Sequence, residues 1–306
     1  MLRDDRDERS PGDVNSSDAA PRADVSGNSN FFVAFRVLPA EPRRAIRAVY
    51  GFCRRADDAV DNAADPAEGR VALRQVAERL DRAFGEVGGD GEDLELRWSI
   101  RRFGLPRAPF EGLLEGVSWD IEGRRYEDRE SLREYCYRVA STVGLLCVRI
   151  FGCRAGEGDD YARELGVALQ WTNILRDVAQ DLEQGRVYIP SASLARHGLT
   201  EKELGCPDEG ARSCIAALVR EEAQYARLCF AEAGRARPRS GHGNLLAAEI
   251  MAGVYRDLLG RVERAGDRIL DRRVRVPSLW RGWIAARLML RHQLLGWSGR
   301  AASLGA

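Results

Sequence analysis

Two short aspartate clusters, far apart in the chain, restrict the fold more than any other feature. Asp57 and Asp61 lie four residues apart in one cluster, and Asp177 and Asp181 lie four residues apart in the other. Both clusters fall in apolar, helix-like stretches, so each predicts two carboxylates about one turn apart on one helix face. Such carboxylates repel each other and are costly to bury, and a shared cation removes both costs. Carboxylate oxygens suit Mg²⁺, which binds one or two of them together with substrate phosphates.

Further polar residues continue each carboxylate pair along its helix face. At about 100° of rotation per residue they share a narrow stripe with the aspartates, and apolar residues flank that stripe. A solvated face would be polar on both sides, so we expect the two stripes to face a cavity. One such pair alone is usually a solvated surface feature, whereas two with similar neighbours indicate a site. The added residues are Tyr50 and Arg54 in the first stripe and Gln170 and Asn173 in the second, with Asp58 pointing to the side.

The composition argues against several classes of function. Lys+Arg and Asp+Glu both number 47 in 306 residues, so no net field favours nucleic acid as a partner. Three scattered histidines and seven cysteines without C-x-x-C spacing argue against a zinc centre and a His-centred triad. No Gly-rich dinucleotide fingerprint is present, so NADPH has no support. Without a signal peptide or an apolar run of membrane-spanning length, we expect a cytoplasmic protein.

The chain is expected to form one all-α domain behind a disordered tail. Residues 1–26 are rich in Asp, Arg, Ser and Pro and contain no aromatic residue, which is typical of disorder. Residues 27–306 form the expected domain, because helical periodicity recurs there without an alternating strand series. Loops are predicted at 88–91 and 186–190. Helices are predicted at about 45–60, 70–85, 108–122, 130–151, 158–184, 210–234, 243–270 and 277–297.

With their neighbours, both clusters resemble signatures of the squalene/phytoene synthase family, the head-to-head branch of the isoprenoid synthases. Residues 44–61 are similar to the first signature of the family, and residues 173–190 are similar to its second. Residues 135–144 match its central helix, and Asp120 with Arg125-Tyr126 matches its D-x-x-x-x-R-Y element. The resemblance runs from about residue 28 to about residue 275. Within the family, residues 135–141 in combination with Ile150-Phe151-Gly152 look most like bacterial presqualene diphosphate synthases of hopanoid pathways.

The resemblance implies a single isoprenoid-synthase-type bundle of helices around a central cavity. It also implies Mg²⁺-dependent, head-to-head (1′–1) condensation of two prenyl diphosphates, with Mn²⁺ as an alternative ion. Tyr135 and Asp120 would assist the later step or the release of diphosphate. The implied ion ligands are Asp57, Asp61, Asn173, Asp177 and Asp181. The implied substrate contacts are Tyr50, Arg54, Arg176, Arg186, Tyr188 and Arg273, with Asn28 and Asn30 where many relatives carry His and Ser. The stripe residues Asp58, Gln170 and Asn173 are further candidates for substrate binding.

A closed apolar cavity would hold the prenyl chains and exclude water from the allylic cation. Small Ala140 and Gly144, four residues apart, would leave room for a chain or for a closely packed helix. The residues expected in this wall are Val139, Ala140, Val143, Gly144, Leu145, Leu146 and Val148, although plain helix packing explains any one of them equally well.

Several functions remain open at this stage. Two farnesyl diphosphates would give presqualene diphosphate, and a second ionisation would give a C30 hydrocarbon. Two geranylgeranyl diphosphates would give phytoene. A head-to-tail elongase or terpene cyclase fits the first acidic motif but not the second, and a non-catalytic helical assembly factor would be expected to have lost these acids.

The C-terminal segment allows two interpretations. Residues 271–306 hold seven arginines and one aspartate, together with Trp280, Trp283 and Trp297. Packing against the bundle is the favoured interpretation. The alternative is that a basic, Trp-bearing helix lies on the anionic inner face of the cytoplasmic membrane.

Overall fold

The computed structural model describes residues 34–86, 88–238 and 244–303, without the side chains of 294–303. The expected tail at 1–26 and the candidate residues Asn28 and Asn30 lie outside these ranges. The described ranges contain helices and turns and no strand, so the all-α prediction is confirmed.

Twelve α-helices, one π-helical turn and one 3₁₀ turn carry the described chain. The N-terminal half contains α1 (Ala40–Asp61), α2 (Pro66–Phe84), α3 (Gly91–Phe103), α4 (Ala108–Ile121), α5 (Arg129–Cys136), the π-helical turn Tyr137–Ser141 and α6 (Thr142–Ile150). The C-terminal half contains α7 (Asp159–Glu183), α8 (Ser191–Arg196), α9 (Glu201–Gly205), α10 (Glu209–Ala236), α11 (Leu246–Ala265), the 3₁₀ turn Gly266–Ile269 and α12 (Ser278–Ser303).

Helix α3 lies where no helix is predicted. Its apolar residues from Leu94 to Ile100 alternate with polar ones, a spacing more typical of a strand. The helix forms because the Asp90 side chain accepts hydrogen bonds from the first backbone N–H groups. The buried Arg97 guanidinium also donates to the carbonyl oxygens of Arg82 and Gly88, each at 2.6 Å. Long-range hydrogen bonds of this kind leave no periodic signal in the sequence.

A π-helical turn interrupts the long helix predicted at 130–151. Tyr137–Ser141 lies between α5 and α6, and two glycines on neighbouring helices allow close approach to it. A Cβ on Gly116 would lie 2.7 Å from the Arg138 Cβ, and a Cβ on Gly166 would lie 2.5 Å from the Ser141 Cα. The turn is thus clamped between α4 and α7. Such π-turns often occur at functional sites.

Helix α7 is the central element of the core. It packs against α6, α10, α11 and the π-helical turn, while α1 packs against α2, α3, α4 and α6. Trp171 of α7 is fully buried, as expected for a core residue, and its Nε1 donates to the buried Glu222 of α10 at 3.2 Å. Since α1 and α7 both flank α6, their polar stripes can face the same space.

Helix α12 packs on α11 with one of its faces. Ile284 and Ala285 are buried there, and a Cβ on Gly253 of α11 would lie 2.9 Å from the Ile284 Cγ2. The packing interpretation of the C-terminal segment is therefore confirmed for this face. Among the described residues, the helices fall short of the length and apolar character that crossing a bilayer requires.

Candidate active site

A cavity of about 690 Å³ opens between α1, the π-helical turn with α6, α7 and α11. Residues 273–276 and Arg281 of the C-terminal segment close one of its sides. The cavity brings together parts of the chain that are more than 200 residues apart in sequence.

One part of the cavity wall is polar and strongly charged. Both polar stripes contribute to it, so they face a common space as the flanking apolar residues predict. The polar lining consists of Tyr50, Arg54 and Asp57 from α1, Gln170, Asn173 and Arg176 from α7, and Arg273, Arg275 and Arg281 from the C-terminal segment.

The rest of the wall is mainly apolar and continues between α6, α7 and α11. Gly144 both lines the cavity and permits close packing, because its Cβ would lie 3.0 Å from the Ala162 carbonyl oxygen. Val139, Ala140, Val143, Gly144 and Val148 line the cavity as expected. The expectation is wrong for Leu145 and Leu146, which lie outside the cavity wall. Leu146 is instead buried in the core, because it lies on a different face of α6 from Val143, Gly144 and Val148.

The carboxylates of α1 have different surroundings. Asp57 lines the cavity, where surrounding protein separates it from bulk solvent and raises its pKa to about 7, with a further contribution from Asp61. The Asp57 side chain is nevertheless accessible from the cavity. Asp61 lies further out and accepts a hydrogen bond from Arg186 at 2.8 Å. Asp58 is turned aside and forms an ion pair with Arg54 at 2.9 Å.

The carboxylates of α7 are arranged in a related way. Asp177 receives the guanidinium groups of both Arg176 and Arg273, each with an Nε–Oδ1 distance of 2.8 Å. Asp181 lies one turn further out, beside the loop that begins at Arg186. Burial raises the pKa of Asp181 to about 8, and the charge of Asp177 adds to the shift. One carboxylate of each pair is therefore neutralised by arginine, while burial disfavours the charged form of the other.

A cluster of tyrosines surrounds Asp120 near the outer carboxylates. Tyr188 and Tyr135 donate hydrogen bonds to its two oxygens at 2.7 and 2.9 Å. Burial nevertheless raises the pKa of Asp120 to about 6, against the opposing effect of these hydrogen bonds and of Arg186. The rings of Tyr135 and Tyr188 stack at 5.0 Å. This arrangement fixes two phenol groups and one carboxyl group beside the charged end of the site.

The donor set fits Mg²⁺ on condition that a substrate supplies the remaining oxygens. Among the described residues, no three Asp, Glu, His or Cys side chains gather closely enough to hold an ion alone. The Asn173 Oδ1 is buried without a hydrogen-bond partner, while its amide nitrogen donates to Gln170 at 3.2 Å. An unpaired amide oxygen one helical turn from Asp177, in the same cavity as Asp57, is suited to a hard cation. A site that supplies few protein ligands and leaves coordination positions open is typical of Mg²⁺ that is bound through phosphates.

Several cavity residues escape the sequence argument. Arg275 and Arg281 line the polar wall although neither belongs to an acidic stripe, and Tyr161 and Tyr255 line the cavity from α7 and α11. The arginine-rich segment after residue 271 is the one sequence signal for the first two. Residue spacing cannot place them, because the packing of α11 and α12 brings this segment to the cavity.

The comparisons with known proteins agree with this architecture. A family model described as squalene/phytoene synthase matches residues 25–280. The presqualene diphosphate synthase of Rhodopseudomonas palustris is 38% identical over 239 residues, covering 77% of this chain and 84% of the relative. The phytoene synthase of Mycobacterium bovis is 34% identical over 261 residues, covering 84% of this chain and 85% of the relative. A dehydrosqualene synthase solved in complex with a ligand is 30% identical with a TM-score of 0.77, covering 86% of this chain and 92% of that structure.

The family match covers well over half of the chain, and the two relatives exceed 30% identity over more than two thirds of it. The shared fold is all-helical and encloses the cavity described above. This chain belongs to the squalene/phytoene synthase family and is a prenyltransferase.

Proposed function

We propose that the chain condenses two farnesyl diphosphates head to head into presqualene diphosphate, with release of one diphosphate and one proton. Head-to-head condensation of prenyl diphosphates is the reaction of the family. The observation that carries the proposal is a cavity with the Asp57 carboxylate and several arginines at one part and apolar walls elsewhere. The choice of farnesyl chains is supported by the relative from Rhodopseudomonas palustris, which is named a presqualene diphosphate synthase.

The charged part of the cavity is proposed to promote departure of the first diphosphate. Bound Mg²⁺ would supply electrostatic neutralisation of the leaving group, and Asp57, Asp61, Asn173, Asp177 and Asp181 would hold it. The arginines and Tyr50 would orient the diphosphate oxygens, since guanidinium groups match them in a bidentate geometry. Arg54, Asp58 and Gln170 would shape the pocket around them. The proposed arginines are Arg54, Arg176, Arg186 and Arg273, to which the structure adds Arg275 and Arg281 at the wall.

The apolar walls are proposed to direct the allylic cation to the second prenyl chain. C1 of the ionised chain bonds to C2 of the other chain, and loss of a proton from that C1 lets it bond to C3 as well, which closes the cyclopropane ring. Val139, Ala140 and Gly144 present no group that could capture the cation. Exclusion of water from this wall prevents hydrolysis to a prenyl alcohol.

The tyrosine cluster is proposed to act at the later step. Tyr135 and Tyr188 hold Asp120 at hydrogen-bond distance, and the three groups can pass a proton among them. Their position near Asp61 and Arg186 supports a role close to a departing diphosphate. We assign them to the release of diphosphate or to a second ionisation that would lead to a C30 hydrocarbon.

A second candidate function is phytoene synthesis from two geranylgeranyl diphosphates. It is favoured by the relative from Mycobacterium bovis, which is named a phytoene synthase and covers more of this chain than the presqualene relative does. Both candidates use the same site and differ in the length of the prenyl chains.

One assay tests both candidates. The purified chain is incubated separately with farnesyl and geranylgeranyl diphosphate, with and without Mg²⁺ and with and without isopentenyl diphosphate. We expect a C30 product from farnesyl diphosphate alone, dependent on Mg²⁺, with a mass that distinguishes presqualene diphosphate from a hydrocarbon. A C40 product from geranylgeranyl diphosphate would favour the second candidate.

The remaining outcomes contradict both. A requirement for isopentenyl diphosphate would indicate head-to-tail elongation. Absence of product from folded protein in every mixture would indicate a non-catalytic role.

A further inference from the structure

Helix α12 carries two apolar stripes on opposite faces. Ile284, Ala285 and Leu288 face α11 and belong to the packed side. Leu279, Trp283 and Leu290, spaced by four and seven residues, form a second stripe roughly opposite the first. A helix packed on a bundle needs one apolar face, so the second stripe is not explained by folding.

The second stripe is exposed. Leu279, Trp283 and Leu290 are 91%, 49% and 58% exposed, and Trp280 and Met289 beside them are also exposed. Of the eight large apolar side chains that are strongly exposed in the described part of the chain, these are five. The rings of Trp280 and Trp283 stack on each other at 4.9 Å. Contiguous exposed apolar surface of this kind usually marks an interaction site.

The charges that α12 itself carries are all positive. From Arg272 to residue 306 the sequence contains seven arginines and no acidic residue. Arg287 and Arg291 are exposed beside the stripe, and the Arg287 guanidinium lies 5.6 Å from the Trp283 ring. Asp257 of α11, which accepts a hydrogen bond from Trp280, is already paired with Arg261. The surface therefore fits a partner that is apolar within and anionic at its boundary.

Charge distinguishes a bilayer from a second copy of the chain. In a two-fold dimer through this stripe, identical patches would meet and bring the arginines of both copies together. An anionic bilayer instead accepts Trp and Leu at the boundary of the acyl chains and places Arg among the phosphates. Helix α12 also begins next to the cavity, because its first residue lies between residues 273–276 and Arg281, which line the cavity. A surface that binds α12 is therefore close to the cavity wall.

We propose that α12 docks the protein on an anionic bilayer, with Leu279, Trp283 and Leu290 in the acyl boundary and Arg287 and Arg291 at the lipid phosphates. Docking in this orientation holds the C-terminal wall of the cavity close to the membrane. It gives the proposed function a lipid surface as partner, but the docking itself rests on α12 alone.

Vesicle binding of the full chain tests this proposal without substrate. The chain is sedimented with vesicles of phosphatidylcholine and with vesicles of equal phosphatidylcholine and phosphatidylglycerol. We expect binding to the anionic vesicles that weakens with salt. Changing Trp283→Ser and Leu290→Ser together is expected to reduce partitioning by more than about tenfold. Changing Arg287→Gln and Arg291→Gln together is expected to reduce it by about fivefold per arginine.

Controls separate docking from other effects. Leu228→Ser alters a leucine of α10 that is 61% exposed, and it is expected to leave vesicle binding unchanged. Thermal denaturation of each variant checks that it is folded. Turnover of detergent-dispersed prenyl diphosphate is expected to be unchanged in the α12 variants. Vesicle binding is measured without substrate, so a chain without enzymatic activity can still show docking.

Three results would overturn the proposal. One is equal binding to neutral and anionic vesicles, and another is unchanged binding in both double variants. The third is self-association of the chain, measured by sedimentation velocity without lipid, that is lost in the Trp283/Leu290 variant. A second copy of the chain would then cover the stripe.

Discussion

Helices α1 and α7 present the same D-x-x-x-D spacing to one site, yet they surround their carboxylates differently. On α7, the inner aspartate Asp177 is held by two arginines. On α1, the inner aspartate Asp57 lines the cavity and burial raises its pKa, while Arg54 forms its ion pair with Asp58. The inner aspartate of α7 is therefore already paired with cations, whereas the inner aspartate of α1 depends on a cation that must be bound.

This difference shows that a repeated motif need not be a repeated environment. Both helices place an ionisable pair on one face, but arginines from other parts of the chain decide which carboxylate is neutralised. Arg186 is 125 residues from Asp61 in sequence, and Arg273 is 96 residues from Asp177. A diphosphate entering the site would compete with Asp177 for its arginines, whereas it would approach Asp57 only with an ion between them.

The largest expected effect comes from removing the inner carboxylate of α1. We expect Asp57→Asn to lower turnover of prenyl diphosphate by about 10²–10³-fold at saturating Mg²⁺, because the developing charge of the leaving group loses its ion. Steady-state kinetics measure this loss. Asp160→Asn, on the exposed first turn of α7, is the matched control and should retain full turnover. Unimpaired turnover in Asp57→Asn would refute the ion assignment.

The two inner aspartates should have opposite effects on the stability of the ion-free protein. Asp177→Asn leaves Arg176 and Arg273 without their partner and is expected to reduce the free energy of unfolding by about 1–3 kcal/mol. Asp57→Asn removes a carboxylate that is unfavourable when ionised and should raise that free energy above pH 7. Urea denaturation near pH 8 with a chelator measures both values. Changes of the same sign would show that the two walls are equivalent.

The sequence predicts those parts of this comparison that depend on local periodicity. Helix geometry alone places Tyr50, Arg54 and Asp57 on one face, and the structure finds all three at the cavity. It does not place Arg281, since that side chain reaches the cavity through the packing of α12 on α11. Helix α3 is missed for a similar reason, because the buried Arg97 stabilises it through distant carbonyl groups.

A smaller effect is expected from the unpaired amide oxygen of α7. Asn173→Ala should raise the Mg²⁺ concentration needed for half-maximal turnover by about tenfold, because it removes a neutral oxygen ligand from an otherwise carboxylate site. Titration of turnover with Mg²⁺ measures the change. Gln180→Ala is the control, since Gln180 is exposed on the same helix. An equal shift in both variants would assign the effect to the helix and not to the ligand.

The smallest effect concerns pH and depends on the two carboxylates without an arginine partner. Their folded-state pKa values of about 7 for Asp57 and about 8 for Asp181 exceed the ordinary value of 3.8. Between these limits the folded state holds protons that the unfolded state has lost. Their contribution to stability is thus fully present below pH 3.8 and is lost as pH rises through 7 and 8.

Ion binding should reverse this loss, because Mg²⁺ needs the ionised carboxylates and displaces their protons. The increase in melting temperature produced by Mg²⁺ with inorganic diphosphate is therefore expected to grow between pH 6 and pH 8, the range of these two pKa values. Differential scanning fluorimetry with and without the ion measures it. In Asp57→Asn the growth should be smaller, and in the Asp160→Asn control it should persist. An increase independent of pH would place the bound ion away from the unpaired carboxylates and remove the proposed asymmetry between α1 and α7.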